Sequence, residues 1–350
     1  MSPPQVHIVV GLSAVIVAVR GETPVVLTLS RPLEVPAAGE ALGLAAVPSA
    51  VGADGWAEHP GAAERDAIPF GPLDPVGDRT LELGLRRWVR EQTRLQPGYL
   101  EQLYTFADRE RSRVGSARVI SVAYLALTRE EEVSGAGEPR WVPWYEYFPW
   151  EDWRGGRPSV LDRHIRPALE HWAAGGSDPA VSRTRHSRAA VAFGWGSAPW
   201  DPNRVLDRYE LLYEAGLVTE AWDDQPNPQP PQAASATGRP MALDHRRILA
   251  TAMERLRGKL SYRPVVFELL PVAFTLLRLQ RVVEALAGDV LHKQNFRRLV
   301  VTGGLVEATG AVETNTGGRP AELFAFRREV LLERPAPGLG LPRRKFPAGQ

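Results

Sequence analysis

A short segment near the C-terminus, KQNFRRLVV at Lys293 to Val301, combines side chains suited to nucleic acid with the spacing of a helix. Phe296, Leu299 and Val300 fall on one helical face, which predicts that they are buried. The other face carries a polar set, which is Lys293, Gln294, Asn295, Arg297 and Arg298. Arginine, asparagine and glutamine form bidentate hydrogen bonds with base edges, and lysine and arginine neutralise phosphates. The pattern therefore predicts a recognition helix for double-stranded DNA.

The neighbouring segments predict how this helix is positioned. Thr275 can cap a preceding helix that Gly288 ends, with an apolar stripe at Leu276, Leu279, Val282, Val283 and Leu286. Downstream, the apolar runs Leu305 to Thr309 and Leu323 to Arg327 flank a polar connection that ends in Gly317-Gly318-Arg319-Pro320. Helix, turn, helix and hairpin predict a winged helix with Arg319 at or near the wing and close to DNA. A winged helix used for protein contacts is the alternative.

A second group of cations lies in the middle of the chain and consists of Arg109, Arg111, Arg113 and Arg118. A nucleotide diphosphate needs cations, and arginine binds phosphate in bidentate geometry. With Arg87 and Glu91 of the helix predicted at Thr80 to Leu95, these arginines predict a nucleotide site. For any single arginine, a solvated surface is an equal alternative.

Composition bounds the class of protein. The chain has 350 residues, 44% of them hydrophobic and 24% charged, which is typical of a folded protein of two or three domains. It contains no cysteine, which excludes disulfide frameworks and thiol nucleophiles and fits a reducing compartment such as the cytoplasm. The apolar run His7 to Val19 is too short to span a bilayer and lacks a preceding basic region, so no membrane segment is expected.

Charge is distributed unevenly along the chain. Residues 262–350 hold 13 Lys+Arg and 8 Asp+Glu, a net charge of +5. Subtraction from the whole-chain totals of 42 and 41 leaves 29 and 33, a net charge of −4, for residues 1–261. The basic C-terminal part is the part expected to meet a polyanion.

The N-terminal part predicts a mixed sheet. His7 to Val19 and Val25 to Ser30 have the composition of two strands joined by a turn, and Val119 to Thr128 that of a buried strand. Residues 31–79 predict a loop. The helix at Thr80 to Leu95, with Thr80 as its N-cap, lies between the strands, so a mixed sheet with helices on both faces is expected.

The helix TLELGLRRWVREQTRL resembles the signature helix of the Nudix family. Arg87, Val89 and Leu95 match the family's arginine and apolar positions, and Glu91 matches one of its three carboxylates. Trp88 and Gln92 replace the other two. The family's carboxylates share one helical face and hold Mg²⁺ against a pyrophosphate, so the resemblance implies that hydrolysis is lost here and that no metal or catalytic residue is present. An ordinary amphipathic surface helix is the alternative.

Longer segments resemble the NrtR-like, Nudix-related transcriptional regulators of NAD metabolism. They are YLEQLYTF, RVISVAYLALT, FTLLRLQRVVEAL, KQNFRR and GRPAELFAF. The resemblance implies an α/β Nudix-like sandwich with a mixed sheet, a helical insertion and a C-terminal winged helix. It also implies a repressor of NAD synthesis or salvage genes that senses ADP-ribose, NAD or ATP and needs no cofactor. A palindromic operator implies a homodimer, because two half-sites are read by two copies.

The insertion is rich in aromatic residues, at WVPWYEYFPWEDW (Trp141 to Trp153). These side chains predict either a packing anchor or a ligand-stacking surface, and similar insertions occur in the long alphaproteobacterial regulators called NadQ. Leu161 to Trp172 and Val205 to Leu217 have helical spacing, and the proline-rich Asp223 to Pro240 predicts a flexible connector. Asp244 is the expected N-cap of a helix that runs to Leu260 and closes the Nudix-like domain, with His245 in the capping region.

These segments predict four parts. Residues 1–128 and 243–261 form the Nudix-like sensor, 129–242 the insertion, 262–335 the winged helix and 336–350 a tail. The alternative to a repressor is a Nudix pyrophosphohydrolase with a non-standard metal site, in which Glu101 or Asp108 would supply the missing carboxylates.

Overall fold

A computed structural model describes residues 8–30, 65–107, 113–114, 117–135, 137–223, 229–314 and 320–339, with the backbone alone at 113, 114, 117 and 118. Within these ranges, ten strands form two sheets. The strands are β1 (Ile8–Arg20), β2 (Thr23–Leu29), β3 (Phe70–Pro72), β4 (Tyr99–Phe106), β5 (Arg113–Val114), β6 (Ala117–Leu127), β7 (Pro139–Pro143), β8 (Ala273–Thr275), β9 (Val306–Glu313) and β10 (Ala321–Phe326).

The larger sheet is mixed, as the sequence predicted. Its order is β4-β6-β1-β2-β7, with β3 also paired to β1 and β5 to β6. Strands β1 and β6 run parallel, with Ile8 opposite Arg118, and the other pairings are antiparallel. Both central strands are buried along their middle and later parts, at Leu12 to Ala18 of β1 and Ser121 to Leu127 of β6, and are rich in valine, isoleucine and alanine, as expected for strands covered on both faces.

In the described part of the chain, nine α-helices accompany the sheets. They are α1 (Leu81–Thr93), α2 (Arg166–Ala174), α3 (Pro179–Phe193), α4 (Val205–Glu214), α5 (Gln232–Ala236), α6 (His245–Leu260), α7 (Leu276–Ala287), α8 (Lys293–Thr302) and α9 (Val330–Glu333). Successive side chains of a strand point to opposite faces of the sheet. In β1, Ala14 and Ile16 share a core with α1, whereas Val15 and Val17 share another with α6. The predicted helices on both faces of the sheet are confirmed.

The insertion packs as part of the main core. Trp144, Phe148 and Trp150 are fully buried, and Trp153 is nearly so. They share one apolar cluster with residues of α4, α6 and the winged helix. The aromatic segment therefore acts as a packing anchor within this core. The two predicted helical segments are present, and a third, α3, has no strong apolar stripe in its sequence and was missed.

Residues 262–335 contain the predicted winged helix. Thr275 caps α7 by accepting a hydrogen bond from the Arg278 N–H, and Gly288 ends that helix in the left-handed conformation. Helix α8 follows, and then β9 and β10 form an antiparallel hairpin with β8 at its edge. The predicted arrangement of helix, turn, helix and hairpin is confirmed.

Two local predictions were wrong. Within residues 31–79, predicted as loop, the described part contains β3, and Ala67 and Ile68 are fully buried. The predicted flexible connector contains α5, and the Thr237 hydroxyl donates to Leu217 O at 2.9 Å. Asp244 is the N-cap residue of α6 and Leu260 its last residue, as predicted, but the Asp244 side chain makes no capping hydrogen bond and pairs with Arg247. In the described residues, no helix is long and apolar enough to cross a membrane.

Candidate nucleotide site and nucleic-acid interface

Helix α1 begins as predicted, with the Thr80 hydroxyl accepting from the Leu83 N–H. Arg87, the residue that matches the Nudix arginine, donates to both carboxylate oxygens of Asp78 at 3.1 and 2.9 Å. This hydrogen-bonded arginine holds the pKa of the Asp78 carboxyl below its usual value. The guanidinium also lies 4.6 Å from the centre of the Trp88 ring. Arg87 is therefore held in place by its own helix and the loop before it.

The two residues that replace Nudix carboxylates bind the backbone of strand β3. The Trp88 indole donates to Pro72 O at 2.8 Å. Gln92 forms a pair of hydrogen bonds with Phe70, accepting from its N–H at 3.1 Å and donating to its carbonyl at 2.7 Å. Between them lies Gly71, where a Cβ would come within 2.2 Å of the Trp88 ring. Trp88 and Gln92 therefore fix the helix against a strand that has no room for a side chain.

The remaining carboxylate, Glu91, points away from this contact. Its side chain is 48% exposed and lies 3.8 Å from Arg87. The three positions thus provide one exposed carboxylate, one amide with both ends bonded and one indole, which does not fit Mg²⁺, a cation that takes several oxygen ligands in octahedral geometry. In the described part of the chain, no three His, Asp or Glu residues cluster as metal ligands would.

Glu101, proposed as a substitute ligand, is occupied by other partners. It accepts from the Tyr99 hydroxyl at 2.6 Å and from Arg255 at 3.1 Å, and it pairs with Lys259. Two cations thus neutralise this carboxylate. Asp108 lies outside the described residues.

The predicted arginine loop is only partly described. Arg109 and Arg111 lie outside the described residues, and for Arg113 and Arg118 the structure gives the backbone. Arg118 pairs with Ile8 at the start of β1, and α1 packs on Leu12, where a Cβ on Gly84 would meet the leucine at 3.0 Å. Four residues of strand separate these points, about 13 Å. The backbone of Arg118 and helix α1 therefore lie toward the same end of the sheet.

His245, expected near a helix cap, is a buried acceptor. Its Nδ1 accepts from the Ile68 N–H at 3.3 Å, and its ring packs 5.0 Å from that of Phe70. Burial lowers the pKa of this histidine to about 3. A neutral imidazole is required to accept the hydrogen bond. His245 thus joins α6 to the strand region that also holds α1.

Helix α8 presents the predicted polar face to solvent. Phe296 and Val300 are buried, whereas the five polar residues are exposed, namely Lys293, Gln294, Asn295, Arg297 and Arg298. Among the described residues, no carboxylate lies within ion-pair distance of the three cations. Cations without partners remain available for phosphate or base contacts. Arg319 lies outside the described residues. His292 precedes the helix, and its side chain makes no capping hydrogen bond.

Two side chains of α7 fix the turn that leads into α8. The Glu284 carboxylate accepts from the Leu291 N–H at 2.8 Å and from the Gln280 amide at 2.8 Å. The same Gln280 amide donates to Leu291 O at 3.0 Å. Both backbone groups of Leu291 are thus satisfied by the preceding helix, which fixes the start of α8 relative to α7.

The C-terminal end of α7 is capped by the insertion and by α6. The Tyr145 hydroxyl donates to Ala285 O at 2.7 Å, and Arg257 Nε donates to Leu286 O at 3.1 Å. The Trp153 N–H donates to Gly288 O at 2.7 Å. The last carbonyls of a helix have no partners within it, so these three donors supply bonds that the helix cannot. We call this contact the α7 cap.

A buried ion cluster lies behind the α7 cap. Glu151 is bound by Arg208 at 2.6 and 3.0 Å and by Arg257 at 2.5 Å, and all three residues are buried. Burial opposes ionisation of Glu151, but the two guanidinium groups outweigh it and hold the pKa of its carboxyl below its usual value. Gly288 has φ +71°, and a Cβ there would meet Glu151 O at 2.4 Å. The cluster therefore packs directly against the turn of the winged helix.

Sheet, signature helix and winged helix together define the class, which is a Nudix-type fold joined to a winged helix with a basic, exposed second helix. The comparisons with known proteins specify it further. The family model of the NrtR DNA-binding winged helix domain matches residues 266–326. A curated protein of Acinetobacter baylyi, the ADPR responsive transcriptional repressor NtrR, is 38% identical over 86 residues, which is 25% of this chain and 34% of the repressor. The match thus spans about a third of that relative's length.

Solved structures extend the likeness to the whole chain. Shewanella oneidensis NrtR complexed with a 27mer DNA aligns with a TM-score of 0.52 and 20% identity over 92% of this chain and 94% of that one. A MutT/nudix family protein from Enterococcus faecalis aligns with a TM-score of 0.50 and 15% identity over 93% and 89%. At these identities the structures establish the fold. The chain thus resembles NrtR in fold and, over the winged helix, in sequence, and the resemblance predicted from its sequence is confirmed.

Two features of these sites have no local signal in the sequence. Glu151 is 57 positions from Arg208 and 106 from Arg257, so no local spacing links them. The hydrogen bonds of Trp88 and Gln92 are made to β3, a strand in a segment that the sequence predicts as loop. Gly71 leaves room for the Trp88 ring, but the sequence alone does not show that these two residues are in contact.

Proposed function

We propose that this protein is a transcriptional repressor whose winged helix binds an operator and whose Nudix-type sheet senses a nucleotide. The observation that carries the proposal is the outer face of α8, where Lys293, Arg297 and Arg298 are exposed and have no carboxylate partner among the described residues. A helix in this position of a winged helix enters the major groove. The match of residues 266–326 to a DNA-binding winged helix supports this role.

ADP-ribose is the effector that we place first. Its support is the printed name of the Acinetobacter relative, an ADPR responsive repressor. NAD and ATP contain the same adenosine and phosphate chemistry and are the other candidates. We place the site beside Arg87 and Glu91, with Arg109, Arg111, Arg113 and Arg118 as the cations for the phosphates. In this arrangement Arg87 would contact the ligand while it remains hydrogen-bonded to Asp78.

We propose that the protein does not hydrolyse its effector. Support comes from Trp88 and Gln92, whose polar atoms are engaged with β3 where the enzymes have metal-binding carboxylates. Incubation with ADP-ribose, NADH or ATP and Mg²⁺ tests this point. Turnover at roughly 1 per second or more, an ordinary enzyme rate, would contradict it and favour a pyrophosphohydrolase.

We further propose a homodimer on a palindromic operator that controls genes of NAD synthesis or salvage, in the manner of the long NadQ-type regulators. The dimer follows from the symmetry of such an operator. The target genes rest on the family resemblance alone.

One titration tests the core of the proposal. Operator duplex, selected from a random pool with the full chain, is titrated with protein in the presence of ADP-ribose, NAD or ATP. We expect tight binding to the selected duplex, weak binding to a scrambled one and a change in operator affinity with one of the nucleotides. Equal affinity for the selected and the scrambled duplex would contradict the proposal that the protein is a sequence-specific repressor. Unchanged nucleotide affinity when all four loop arginines are replaced by alanine would move the nucleotide site elsewhere.

A further inference from the structure

A cavity of about 210 Å³ lies where the winged helix meets the end of strand β6. Arg129 comes from the residues after β6, and the other lining residues come from positions 267–331 of the winged helix. Arg118, which belongs to the predicted nucleotide site, is at the other end of β6. Ten residues of strand, about 33 Å, separate the two ends. The cavity is therefore distinct from the nucleotide site.

The floor of the cavity is aromatic. The rings of Phe267 and Phe326 stack with centroids 4.3 Å apart and planes at 19°, and the Phe274 ring lies 5.7 Å from that of Phe267. At the rim, two apolar side chains are unusually open, with Val272 74% and Leu331 48% exposed. A flat apolar ligand would stack on this floor and cover this rim.

The rim is also positively charged. Arg129 and Arg328 both line the cavity and both are exposed. Within the described ranges, neither guanidinium has an ion-pair partner. Glu268 is the only acid in the lining, so two arginines and one glutamate give a net charge of +1. A single anionic group suits this balance, and arginine binds a carboxylate in bidentate geometry.

We propose that this cavity is a second small-molecule site, which takes a one-ring aromatic carboxylate. The ring would stack on the phenylalanine floor and the carboxylate would lie between Arg129 and Arg328. Size supports the class, because pockets for drug-sized ligands measure about 300–1,000 Å³ and this one is smaller. A dinucleotide is too large for it. The ligand would connect the end of the Nudix-type sheet to the base of the wing.

Benzoate and its neutral counterpart benzamide test the proposal on the full chain. Binding is measured by titration calorimetry or ligand-observed NMR. A salt concentration of about 150 mM weakens nonspecific binding of the anion to scattered surface cations. We expect benzoate to bind with a Kd of about 1 mM, as suits a small fragment, and benzamide about tenfold more weakly. Arg129→Gln and Arg328→Gln should each weaken benzoate about tenfold, the value of a charge-assisted hydrogen bond.

Arg278→Gln is the matched control, because Arg278 is also an exposed arginine of the winged helix with no ion-pair partner among the described residues. Thermal melting checks that every variant is folded. No benzoate binding, equal binding of benzamide, or wild-type binding by both cavity variants would overturn the proposal. A loss confined to Arg278→Gln would also overturn it, because the anion would then sit on α7 and not in the cavity.

Discussion

Arg297 and Arg298 are neighbours in α8, so about 100° of helical turn separates their side chains. Arg298 shares its face with Asn295, three residues earlier, whereas Arg297 aligns with Lys293, four residues earlier. Both arginines are exposed. Since a helix in a groove faces the bases on one side only, we assign Arg298 and Asn295 to base edges. We propose that Arg297 and Lys293, together with Arg319, which the sequence predicts at or near the wing, contact phosphates.

Replacement of these two arginines should therefore have different effects. Arg298→Ala should cost about 1–3 kcal/mol on operator DNA and relax sequence preference, because a bidentate base contact is lost. Arg297→Ala should weaken binding to all sequences and lower the salt slope by about one, because a phosphate contact is lost. Fluorescence anisotropy on operator and scrambled duplexes over a salt series measures both quantities. Wild-type operator affinity in a variant with both Arg297→Ala and Arg298→Ala would show that α8 does not recognise DNA.

His245 should make stability depend on pH. Its pKa is about 3 in the folded protein, and an unfolded histidine titrates near 6.5. Between these values the unfolded chain binds the extra proton, so this stabilisation is complete above about pH 6.5 and falls as the pH drops toward 3. Urea unfolding at pH 7, 6 and 5 should give a shallower loss of stability in His245→Gln. The exposed His171→Gln is the control, and equal slopes in all three proteins would refute the argument.

Restoring the Nudix carboxylates should destabilise the protein instead of activating it. In Trp88→Glu with Gln92→Glu, the indole bond to Pro72 O and the amide bond to Phe70 O are both lost. Two carboxylates would then lie in a buried contact, and each unsatisfied buried group costs about 1–3 kcal/mol. Urea denaturation should show the loss, with no gain of ADP-ribose hydrolysis in Mg²⁺. The exposed pair Glu82→Gln with Arg90→Gln serves as the control. A double variant with wild-type stability would contradict the role given to these residues.

At the scale of elements, the α7 cap is one contact that joins the winged helix to the rest of the molecule. Tyr145, Trp153 and Arg257 bind the carbonyls at the end of α7, and Glu284 and Gln280 bind the turn beyond it. Helix α8 is therefore held at its start by side chains of α7, and the end of α7 is bound in turn by the insertion and by α6. An altered position of the insertion would be transmitted to α8.

Removal of one donor from the α7 cap should reduce selectivity for the operator. Tyr145→Phe keeps the ring but removes the hydroxyl that donates to Ala285 O. We expect stability to fall by about 1–3 kcal/mol, because a buried carbonyl loses its partner. The ratio of operator to scrambled affinity should also fall, because α8 is less firmly held, and anisotropy measures this ratio. Tyr262→Phe, an exposed tyrosine, is the control. An unchanged ratio would reduce the α7 cap to a purely structural contact.

The elements that the sequence predicted best are those with strong local signals. Helix α7 is defined by Thr275 at its start, Gly288 at its end and its apolar stripe. The spacing of four residues between Phe296 and Val300 shows which face of α8 is buried. By contrast, α5 and β3 are three to five residues long and form because distant parts of the chain hold them. The polar contacts of Glu151 join segments far apart in sequence. Local patterns carry no information about such contacts. The exposed polar face of α8 was therefore predictable from the sequence, whereas the buried contacts behind the α7 cap were not.

At the scale of the whole molecule, one apolar cluster joins the sheet, the insertion and the winged helix. It includes Val15 of β1, Trp150 of the insertion, Leu256 of α6 and Phe324 of β10. Such continuity predicts that these parts unfold together, because exposing one of them removes packing from the others.

Calorimetry measures this cooperativity. We expect a single thermal transition in which the calorimetric and van't Hoff enthalpies agree. Hydrogen exchange should then give similar opening free energies for amides in β1, α6 and α7. A separate early transition of the winged helix would show that the shared cluster does not couple it to the sheet.

The contact of Trp88 and Gln92 with strand β3 also has an evolutionary consequence. On the proposal that the chain does not hydrolyse its effector, a gain of hydrolysis would need acidic residues at both positions, yet each change alone removes a bond that holds the strand. Variants with one change would be less stable and would gain no catalysis, so selection would remove them before the second change arises. The dependence of the strand on Trp88 and Gln92 would therefore make a metal site at α1 difficult to acquire.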